Sequence, residues 1–259
     1  TSIKHVIVTE LGDMLGGLKG KLVNFVVKKV KKMVPPFSLP GAIKFKSVLS
    51  HGARLAYSKP TVTSSDTVYL QYTGGTTGVS KGATLSHANV VAHTIQVNYW
   101  FTPLLSVGKA ETMITAIPMY HIFALNVNFT FMLHIGAKNV LITNPRDMPG
   151  FVKELKKHRF TLMTGVNTLF NGLLSQEDFK NIDFSSLKGS MGGGMAVQDF
   201  VARKWEEVTQ SPLVEGYGLS ETSPVLSTNP LDGTHKMGTI GLPVSSTEMA
   251  IMDEEGKAL

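Results

Sequence analysis

A glycine-rich segment around residue 75 carries the groups that bind a triphosphate. It combines glycines, hydroxyls and one cation, at Thr73, Gly74, Gly75, Thr76, Thr77, Gly78 and Lys81. Glycines let the backbone turn sharply and aim several N–H groups at one anion, and threonine hydroxyls and a mobile lysine add donors. The segment is not a Walker A loop, because Ser80 rather than glycine precedes the lysine and Gly82 rather than serine or threonine follows it. A glycine-rich surface loop is the alternative interpretation.

A second segment, residues 216–222, suits a nucleotide and its metal ion. Its residues are Gly216, Tyr217, Gly218, Leu219, Ser220, Glu221 and Thr222. The glycines allow close approach, Tyr217 offers a flat face, and Glu221 is a hard oxygen ligand suited to Mg²⁺. The segment is not a hydrolase nucleophile elbow, because the pattern Gly-x-Ser-x-Gly fails at Thr222. A strand-ending turn with a capping serine and glutamate would explain the same residues.

Two weaker signals are the run Gly192-Gly193-Gly194 and the residue His121. Missing side chains let a flat base lie against the backbone, although a tight strand-to-helix turn needs glycine in any case. A histidine at the end of a strand can contact a substrate, whereas a lone histidine is more often structural. The other histidines show no metal-binding spacing.

Alternating strands and helices must position these segments. Strands are predicted for the β-rich or apolar runs at 67–72, 113–117, 139–143, 160–164, 187–191 and 213–215. Helices are predicted at 87–100, where Ser86 can cap the first turn, and at 122–134, 149–158, 166–174 and 197–209. The pattern predicts an α/β fold with a mainly parallel sheet layered with helices, in which ligands bind beyond the carboxyl ends of the strands.

Both ends of the chain depart from this alternation. Residues 22–34 predict an amphipathic helix ended by Pro35, with one apolar side and a second side rich in lysine. Such a helix either lies on an anionic membrane or packs on a part of the protein outside these residues. After Gly238, glycine, proline and serine precede a strand-like run at 248–252 and a turn at 253–256. Residues 241–259 are therefore expected to begin a small β subdomain.

Composition excludes several classes of protein. The 259 residues are 42% hydrophobic and 17% charged, which is an ordinary globular balance. The absence of cysteine excludes a disulfide framework and a cysteine-based metal site. A net charge of +6 fits an anionic ligand or a membrane surface, but is too small to predict nucleic-acid binding. With neither a spanning apolar stretch nor a signal-peptide pattern, we expect a cytoplasmic location.

In combination, the motifs resemble those of the adenylate-forming, AMP-binding superfamily. Residues 73–82 resemble its phosphate-loop signature, and 118–121, 192–194, 216–222 and 238–243 match later motifs in the same order and at similar spacing. Residues 71–79, 141–147 and 167–171 are most similar to bacterial long-chain fatty acid–CoA ligases. Gly74 and Ser80 depart from the pattern, because many relatives have serine or threonine at the first position and proline at the second.

The resemblance implies ATP-dependent activation of a long-chain fatty acid, through an acyl-adenylate, to acyl-CoA. The expected cofactors and co-substrates are ATP, Mg²⁺ and coenzyme A. The residues implied to hold the β- and γ-phosphates are Thr73, Thr76, Thr77 and Lys81, with Gly74, Gly75 and Gly78 supplying backbone contacts. Thr73 and Glu221 are implied to hold Mg²⁺, and Thr222 the α-phosphate. The rest of the nucleotide is assigned to Gly193, Gly194, Met195, Gly216, Tyr217, Gly218 and Ser220. His121 and Val166 are implied to lie near the acyl carboxylate.

The resemblance also implies that the chain is a piece of a longer enzyme. Residues 1–240 would form part of an AMP-binding N-terminal domain, and a ribose-binding aspartate and a mobile C-terminal domain with a catalytic lysine would lie beyond Leu259. The piece alone is therefore expected to lack full activity. Two alternatives stay open: an acyl-AMP ligase that delivers to a carrier protein, and a nucleotide-binding module without turnover. Peripheral contact with the inner face of the membrane, a homodimer of the full-length protein and no nucleic-acid partner complete the expectations.

Overall fold

A computed structural model of the chain describes residues 3–73 and 80–259. They divide into two compact units, the first ending at Thr61 and the second beginning at Val62. Among the described residues, the helices are too short or too polar to cross a lipid bilayer.

The first unit is small and mixed. Its two short strands, β1 (Ile7–Val8) and β2 (Ile43–Lys44), pair in parallel. Between them lies α1 (Gly17–Phe25), which continues without a break as a π-helix at Val26–Val30. Helix α2 (Phe45–Gly52) follows β2 directly.

The amphipathic helix predicted at 22–34 is wrong in both bounds, because the helical run extends from Gly17 to Val30. The chain leaves the helix at Lys32, whose φ is 49°. Pro35 disfavours the α conformation in Val34 alone, so the helix ends earlier than the proline requires. Leu22, Phe25 and Val30, which belong to the predicted apolar side, are about 60% exposed.

The second unit opens with an antiparallel hairpin that forms its own two-stranded sheet. Strand β3 (Thr67–Thr73) confirms the strand predicted there, and β4 (Lys81–Ser86) was not predicted. The register pairs Thr73 with Lys81 at the end of the hairpin where residues 74–80 connect the two strands. Helix α3 (His87–Phe101) follows β4 and begins with the predicted cap: Ser86 Oγ accepts a hydrogen bond from the Asn89 backbone N–H at 3.2 Å.

The main sheet has seven strands in the order β11-β10-β9-β8-β7-β5-β6. Their bounds are β5 (Thr112–Thr115), β6 (Lys138–Leu141), β7 (Leu162–Gly165), β8 (Gly189–Gly192), β9 (Leu213–Gly218), β10 (Val225–Thr228) and β11 (Leu242–Pro243). Strands β5 to β9 are parallel, and β10 lies antiparallel between β9 and β11. The α/β fold with a mainly parallel sheet is confirmed. The direction in which the strands are added reverses at β5, since β6 lies on one side of it and β7, β8 and β9 follow on the other.

Helices cover both faces of this sheet. They are α4 (Phe131–His134), preceded by a π-helix at Ala124–Thr130, and α5 (Met148–Leu155), α6 (Asn167–Leu174) and α7 (Asp199–Thr209). One core joins α5, α6 and α7 to the sheet around Trp205, and the other joins α3 and α4 around Phe131. Adjacent residues of β5 serve the two cores, Met113 one and Ile114 the other, as the alternation of side chains along a strand requires.

The C-terminal residues agree with the prediction in part. The turn predicted at 253–256 is present, with Gly256 at φ 79°. The strand predicted at 248–252 is wrong, because the backbone there forms only an isolated antiparallel bridge between Met252 and Ala258. The subdomain boundary at 240/241 stays a prediction.

Candidate functional site

A cleft of about 310 Å³ lies at the carboxyl ends of the parallel strands. Because β5, β8 and β9 are parallel, the segments that follow them meet at one edge of the sheet. The residues that line the cleft are Thr73, His121, Ile122, Phe123, Met191, Gly193, Gly194, Gly216, Tyr217, Gly218, Leu219, Ser220, Glu221, Pro224 and Val225. Thus the cleft brings together nine of the residues proposed from the sequence: Thr73, His121, Gly193, Gly194, Gly216, Tyr217, Gly218, Ser220 and Glu221.

The turn after β9 presents Glu221 to the cleft. A 3₁₀ turn at Ser220–Thr222 follows β9, and the Glu221 side chain is exposed there. The Thr222 Oγ1 accepts a hydrogen bond from the Leu219 backbone N–H at 3.0 Å and itself lies within hydrogen-bonding distance of the Pro224 carbonyl oxygen. Thr222 therefore stabilises the turn internally and does not line the cleft, and its proposed contact with an α-phosphate stays a prediction.

The glycine turn after β8 brings backbone close to a neighbouring ring. A Cβ atom added to Gly193 would lie 3.0 Å from the ring of Phe123, and Gly194 has φ 77°, which favours glycine. The next residue, Met195, is 54% exposed and does not line the cleft. This turn leaves a flat backbone surface against which a planar group can lie.

Glu215 stabilises the same glycine turn through a hydrogen bond to the backbone that follows it. It is buried in β9, where it accepts a hydrogen bond from the Val197 backbone N–H. Burial, and secondarily the negative charge of Asp199, raises the pKa of the Glu215 carboxyl above its usual value. Sequence reasoning missed this residue, because nothing local distinguishes Glu215 from an exposed glutamate.

His121 begins the helical segment that follows β5. Its Nδ1 accepts a hydrogen bond from the Phe123 backbone N–H at 3.2 Å, so the neutral ring carries its proton on Nε2. The carbonyl oxygen of the preceding residue, Tyr120, accepts a hydrogen bond from Gln71 Nε2 at 3.1 Å. Since Gln71 belongs to β3, this bond joins the hairpin to the His121 segment.

A buried polar network orients the helical segment that starts at His121. Asn128, fully buried in the π-helix, donates hydrogen bonds to Thr115 Oγ1 at 2.8 Å and Thr164 Oγ1 at 2.7 Å. These threonines lie at the carboxyl ends of β5 and β7. The network therefore ties the helix to the strand ends from which the cleft is built.

Not every predicted site residue lies at the cleft. Thr73 lines it, but Lys81, its partner across the hairpin, is exposed and does not. Gly74, Gly75, Thr76, Thr77 and Gly78 lie outside the described residues. Val166 lines a separate apolar pocket of about 320 Å³ between the ends of β5 and β7, together with Ile117 and Leu169. It is nevertheless close to the cleft, because a Cβ atom on Gly194 would lie 4.0 Å from Val166 Cγ1.

Comparison with known proteins places these motifs in a family. Residues 4–259 match the family of AMP-binding enzymes. The chain belongs to this family.

Among its AMP-binding relatives are several bacterial ligases. A long-chain-fatty-acid–CoA ligase of Salmonella typhimurium is 54% identical over 255 residues, which cover 98% of this chain and 45% of the ligase. The ligase of the same name from Yersinia pestis is 53% identical over 256 residues, covering 99% of this chain and 45% of that protein. The chain thus spans somewhat less than half the length of these relatives.

A solved structure shares the fold. ATP-bound MatB from Rhodopseudomonas palustris superposes with a TM-score of 0.73, at 23% sequence identity, over 99% of this chain and 48% of MatB. The two chains therefore share a fold.

Sequence reasoning missed the apolar wall of the cleft. Ile122, Phe123, Met191 and Val225 line it and are otherwise buried like ordinary core residues. Apolar periodicity assigns such residues to the core without saying which of them border a cavity, so no signal in the sequence could have separated them.

Proposed function

We propose that the full-length protein containing this chain activates a long-chain fatty acid with ATP and transfers the acyl group to coenzyme A. The observation that supports this most strongly is a cleft that combines Thr73, two glycine turns and Glu221 in a chain 54% identical to a fatty acid–CoA ligase. In the proposed reaction a fatty carboxylate oxygen attacks the α-phosphorus of ATP, and pyrophosphate leaves. The thiol of coenzyme A then attacks the acyl carbonyl, and AMP leaves.

The cleft suits this chemistry because the reaction needs positioning more than proton transfer. A fatty carboxylate is already ionised at neutral pH, so its attack requires no general base. Charge on the phosphates must instead be stabilised, and oriented donors and cations do this. We assign the β- and γ-phosphates to the segment from Thr73 to Lys81, and the adenine to the backbone of Gly194 and Gly216 with Tyr217.

The residues of the cleft fit a magnesium ion bound together with a nucleotide. Among the cleft residues that the structure describes, Glu221 is the one carboxylate, and Thr73 supplies a hydroxyl. No group of three or more acidic or histidine side chains that could hold a metal occurs in residues 3–73 and 80–259. Mg²⁺ usually takes one or two carboxylates and completes its shell with water and substrate phosphates. When bound, the ion would neutralise charge on the phosphates.

His121 and the apolar wall suit the fatty acid. Because Nδ1 of His121 accepts from the Phe123 backbone N–H, the neutral ring carries its proton on Nε2, which can donate it to a carboxylate oxygen. Ile122, Met191 and Val225 offer an apolar surface beside it for the first carbons of the chain. Val166 lies near this point but borders the second pocket, so its assignment to the acyl carboxylate is the least supported.

Mutation of Glu221 tests the proposal. In the full-length protein, Glu221→Ala should slow pyrophosphate exchange about 10²-fold or more, because one ligand of the charge-neutralising ion is lost. The matched control is Glu207→Ala, which removes an exposed glutamate of α7 paired with Lys204 at the surface. A Glu221→Ala enzyme as fast as the control would exclude the assignment.

Two further experiments separate the alternatives. Release of thioester with coenzyme A, compared with transfer to a carrier protein, distinguishes the ligase from an acyl-AMP ligase that serves a carrier. ATP binding without any pyrophosphate exchange would instead identify a nucleotide-binding module without turnover.

We also propose a peripheral membrane contact through the helical run from Gly17 to Val30. Its apolar side chains Leu22, Phe25 and Val30 are exposed, and lysines follow at its C-terminal end. An amphipathic helix of this kind binds anionic lipid surfaces. The alternative is that these side chains pack on a part of the protein outside the chain. A homodimer of the full-length protein stays a prediction.

A further inference from the structure

Two buried polar side chains on neighbouring helices bond to the backbone on either side of Pro224. His93, on α3, is 2% exposed, and its Nε2 accepts a hydrogen bond from the Val225 backbone N–H at 3.0 Å. Asn126, in the π-helix, is 0% exposed, and its Nδ2 donates to the Ser223 carbonyl oxygen at 2.6 Å. The backbone is therefore held at two successive peptide groups by two different helices.

The segment held in this way carries the carboxylate of the cleft. The Pro224 carbonyl oxygen accepts a hydrogen bond from the Leu219 backbone N–H at 3.1 Å, which closes the turn that contains Glu221. Pro224 and Val225 themselves line the cleft. A shift of the backbone at Ser223–Val225 would therefore move both ends of the turn and displace Glu221.

We propose that His93 and Asn126 are positioning residues that hold the Leu219–Val225 segment, and through it the Glu221 carboxylate, at the cleft. The inference rests on the proposed role of Glu221 in holding the metal ion. Neither His93 nor Asn126 lines the cleft, so both act through the segment that they hold.

The chemistry of the two side chains supports this role over simple packing. A leucine could fill either position, but would leave a buried backbone N–H or carbonyl oxygen without a partner, which costs more than the hydrogen bond contributes. His93 can accept from Val225 only as the neutral ring with its proton on Nδ1, and that nitrogen has no partner among the described residues. His93 thus leaves its Nδ1–H without a partner among the described residues, while its Nε2 accepts from the segment.

Three variants of the full-length protein separate the hydrogen bond from general stability. His93→Leu removes the acceptor, His93→Gln keeps an acceptor at a similar distance, and Asn126→Leu removes the donor on the other side. The matched control is Val90→Ala, because Val90 is buried one turn earlier on the same helix and does not touch the segment by hydrogen bonding. The control lowers stability by creating a cavity and leaves the hydrogen bonds to the segment in place.

The first measurement is amide hydrogen exchange of residues 219–228 without nucleotide or metal. Exchange at the Val225 amide should be about tenfold faster in His93→Leu, and close to wild type in His93→Gln and Val90→Ala. Asn126→Leu should also increase exchange across the turn. Unchanged exchange in both leucine variants would show that His93 and Asn126 do not hold the Leu219–Val225 segment.

The second measurement is the Mg²⁺ dependence of pyrophosphate exchange. His93→Leu and Asn126→Leu should need about tenfold more Mg²⁺ for half-maximal rate, with His93→Gln restoring the wild-type value. If the leucine variants need the same Mg²⁺ concentration as Val90→Ala for half-maximal rate, the two hydrogen bonds contribute to stability alone and the inference is wrong. If Glu221→Ala is itself as active as wild type, the proposed role of Glu221 on which the inference rests has failed instead, and the two failures are thereby distinguished.

Discussion

Glu215 and Glu221 lie six residues apart in the chain but differ in exposure and in the groups around them. Glu215 is buried in β9, where burial and Asp199 raise the pKa of its carboxyl, and it bonds to the backbone of Val197. Glu221 is exposed on the following turn and faces the cleft. An exposed carboxylate is available to a metal ion, whereas a buried carboxylate that is already hydrogen-bonded serves the structure. We therefore propose Glu221, rather than Glu215, as the carboxylate that takes part in the chemistry of the site.

His93 makes the stability of the protein depend on pH. Burial lowers the pKa of its ring from 6.5 to about 4. In the unfolded chain the ring takes up a proton below pH 6.5, but in the folded chain it resists protonation until about pH 4. The stability that the neutral ring contributes is thus present above pH 6.5 and is lost as pH falls towards 4, by about 3 kcal/mol in total.

The variant His93→Gln tests this linkage in the full-length protein. Glutamine does not titrate, so the Tm of the variant should fall less than that of wild type between pH 7 and pH 5. Parallel curves of Tm against pH would show that His93 is not held in its neutral form.

Among the elements, the turn between β9 and β10 packs its backbone tightly against one of the two glycines of β9. A Cβ atom added to Gly218 would overlap the carbonyl group of Pro224, which is backbone and cannot move aside. A Cβ atom added to Gly216 would lie 3.5 Å from Met191 Sδ, an ordinary van der Waals contact. A side chain at Gly218 would therefore overlap backbone, whereas a methyl group at Gly216 would fit.

Alanine at each of these positions tests this steric difference. We expect Gly218→Ala to lower the free energy of unfolding by about 2 kcal/mol or more, and Gly216→Ala by less than about 1 kcal/mol. Thermal denaturation of the full-length variants, compared side by side, measures the difference. Equal losses would mean that the backbone around Pro224 adapts more than its contacts indicate.

The helical segment from His121 to His134 links several parts of the site. His121 lies at its start, Asn126 bonds to the Glu221 turn, and Asn128 bonds to the ends of β5 and β7. Its central part is a π-helix, which presents Asn126 and Asn128 in different directions. π-helical segments occur often at functional sites.

For the whole molecule, the membrane proposal has a direct test. Each lysine near an anionic surface contributes about 1 kcal/mol, so changing Lys28, Lys31 and Lys32 to glutamate should release the full-length protein from anionic vesicles. Co-sedimentation with vesicles is the measurement, and Lys236→Glu, on a loop of the second unit, is the charge control. Binding unaffected by the triple change would favour packing of the helix on another part of the protein.

Activity is expected to belong to the whole protein, because the chain covers 45% of its ligase relatives. Family resemblance assigns a catalytic lysine and a mobile domain to the remainder, and domain closure completes such sites. A polypeptide limited to these 259 residues should form palmitoyl-CoA at least about 10²-fold more slowly than the full-length protein. The assay supplies ATP, Mg²⁺, palmitate and coenzyme A to both. Comparable rates would contradict the expectation.

The sequence by itself determined the features that depend on neighbouring residues. The Ser86 cap, the glycine turns after β8 and β9 and the parallel strands were predicted, because capping, turn chemistry and hydrophobic period act within a few residues. The order of the motifs also identified the family, which the comparison confirmed.

Only the tertiary structure decided which of these features meet. The bond from Val225 to His93 joins residues 132 positions apart, and the bond from Gln71 to Tyr120 joins residues 49 apart. Strand β10 joined the sheet antiparallel, and Phe123, Met191 and Val225 became the wall of a cleft. Such contacts depend on how distant elements pack, and local propensity contains no information about that geometry, because each buried side chain satisfies the same periodicity wherever it packs.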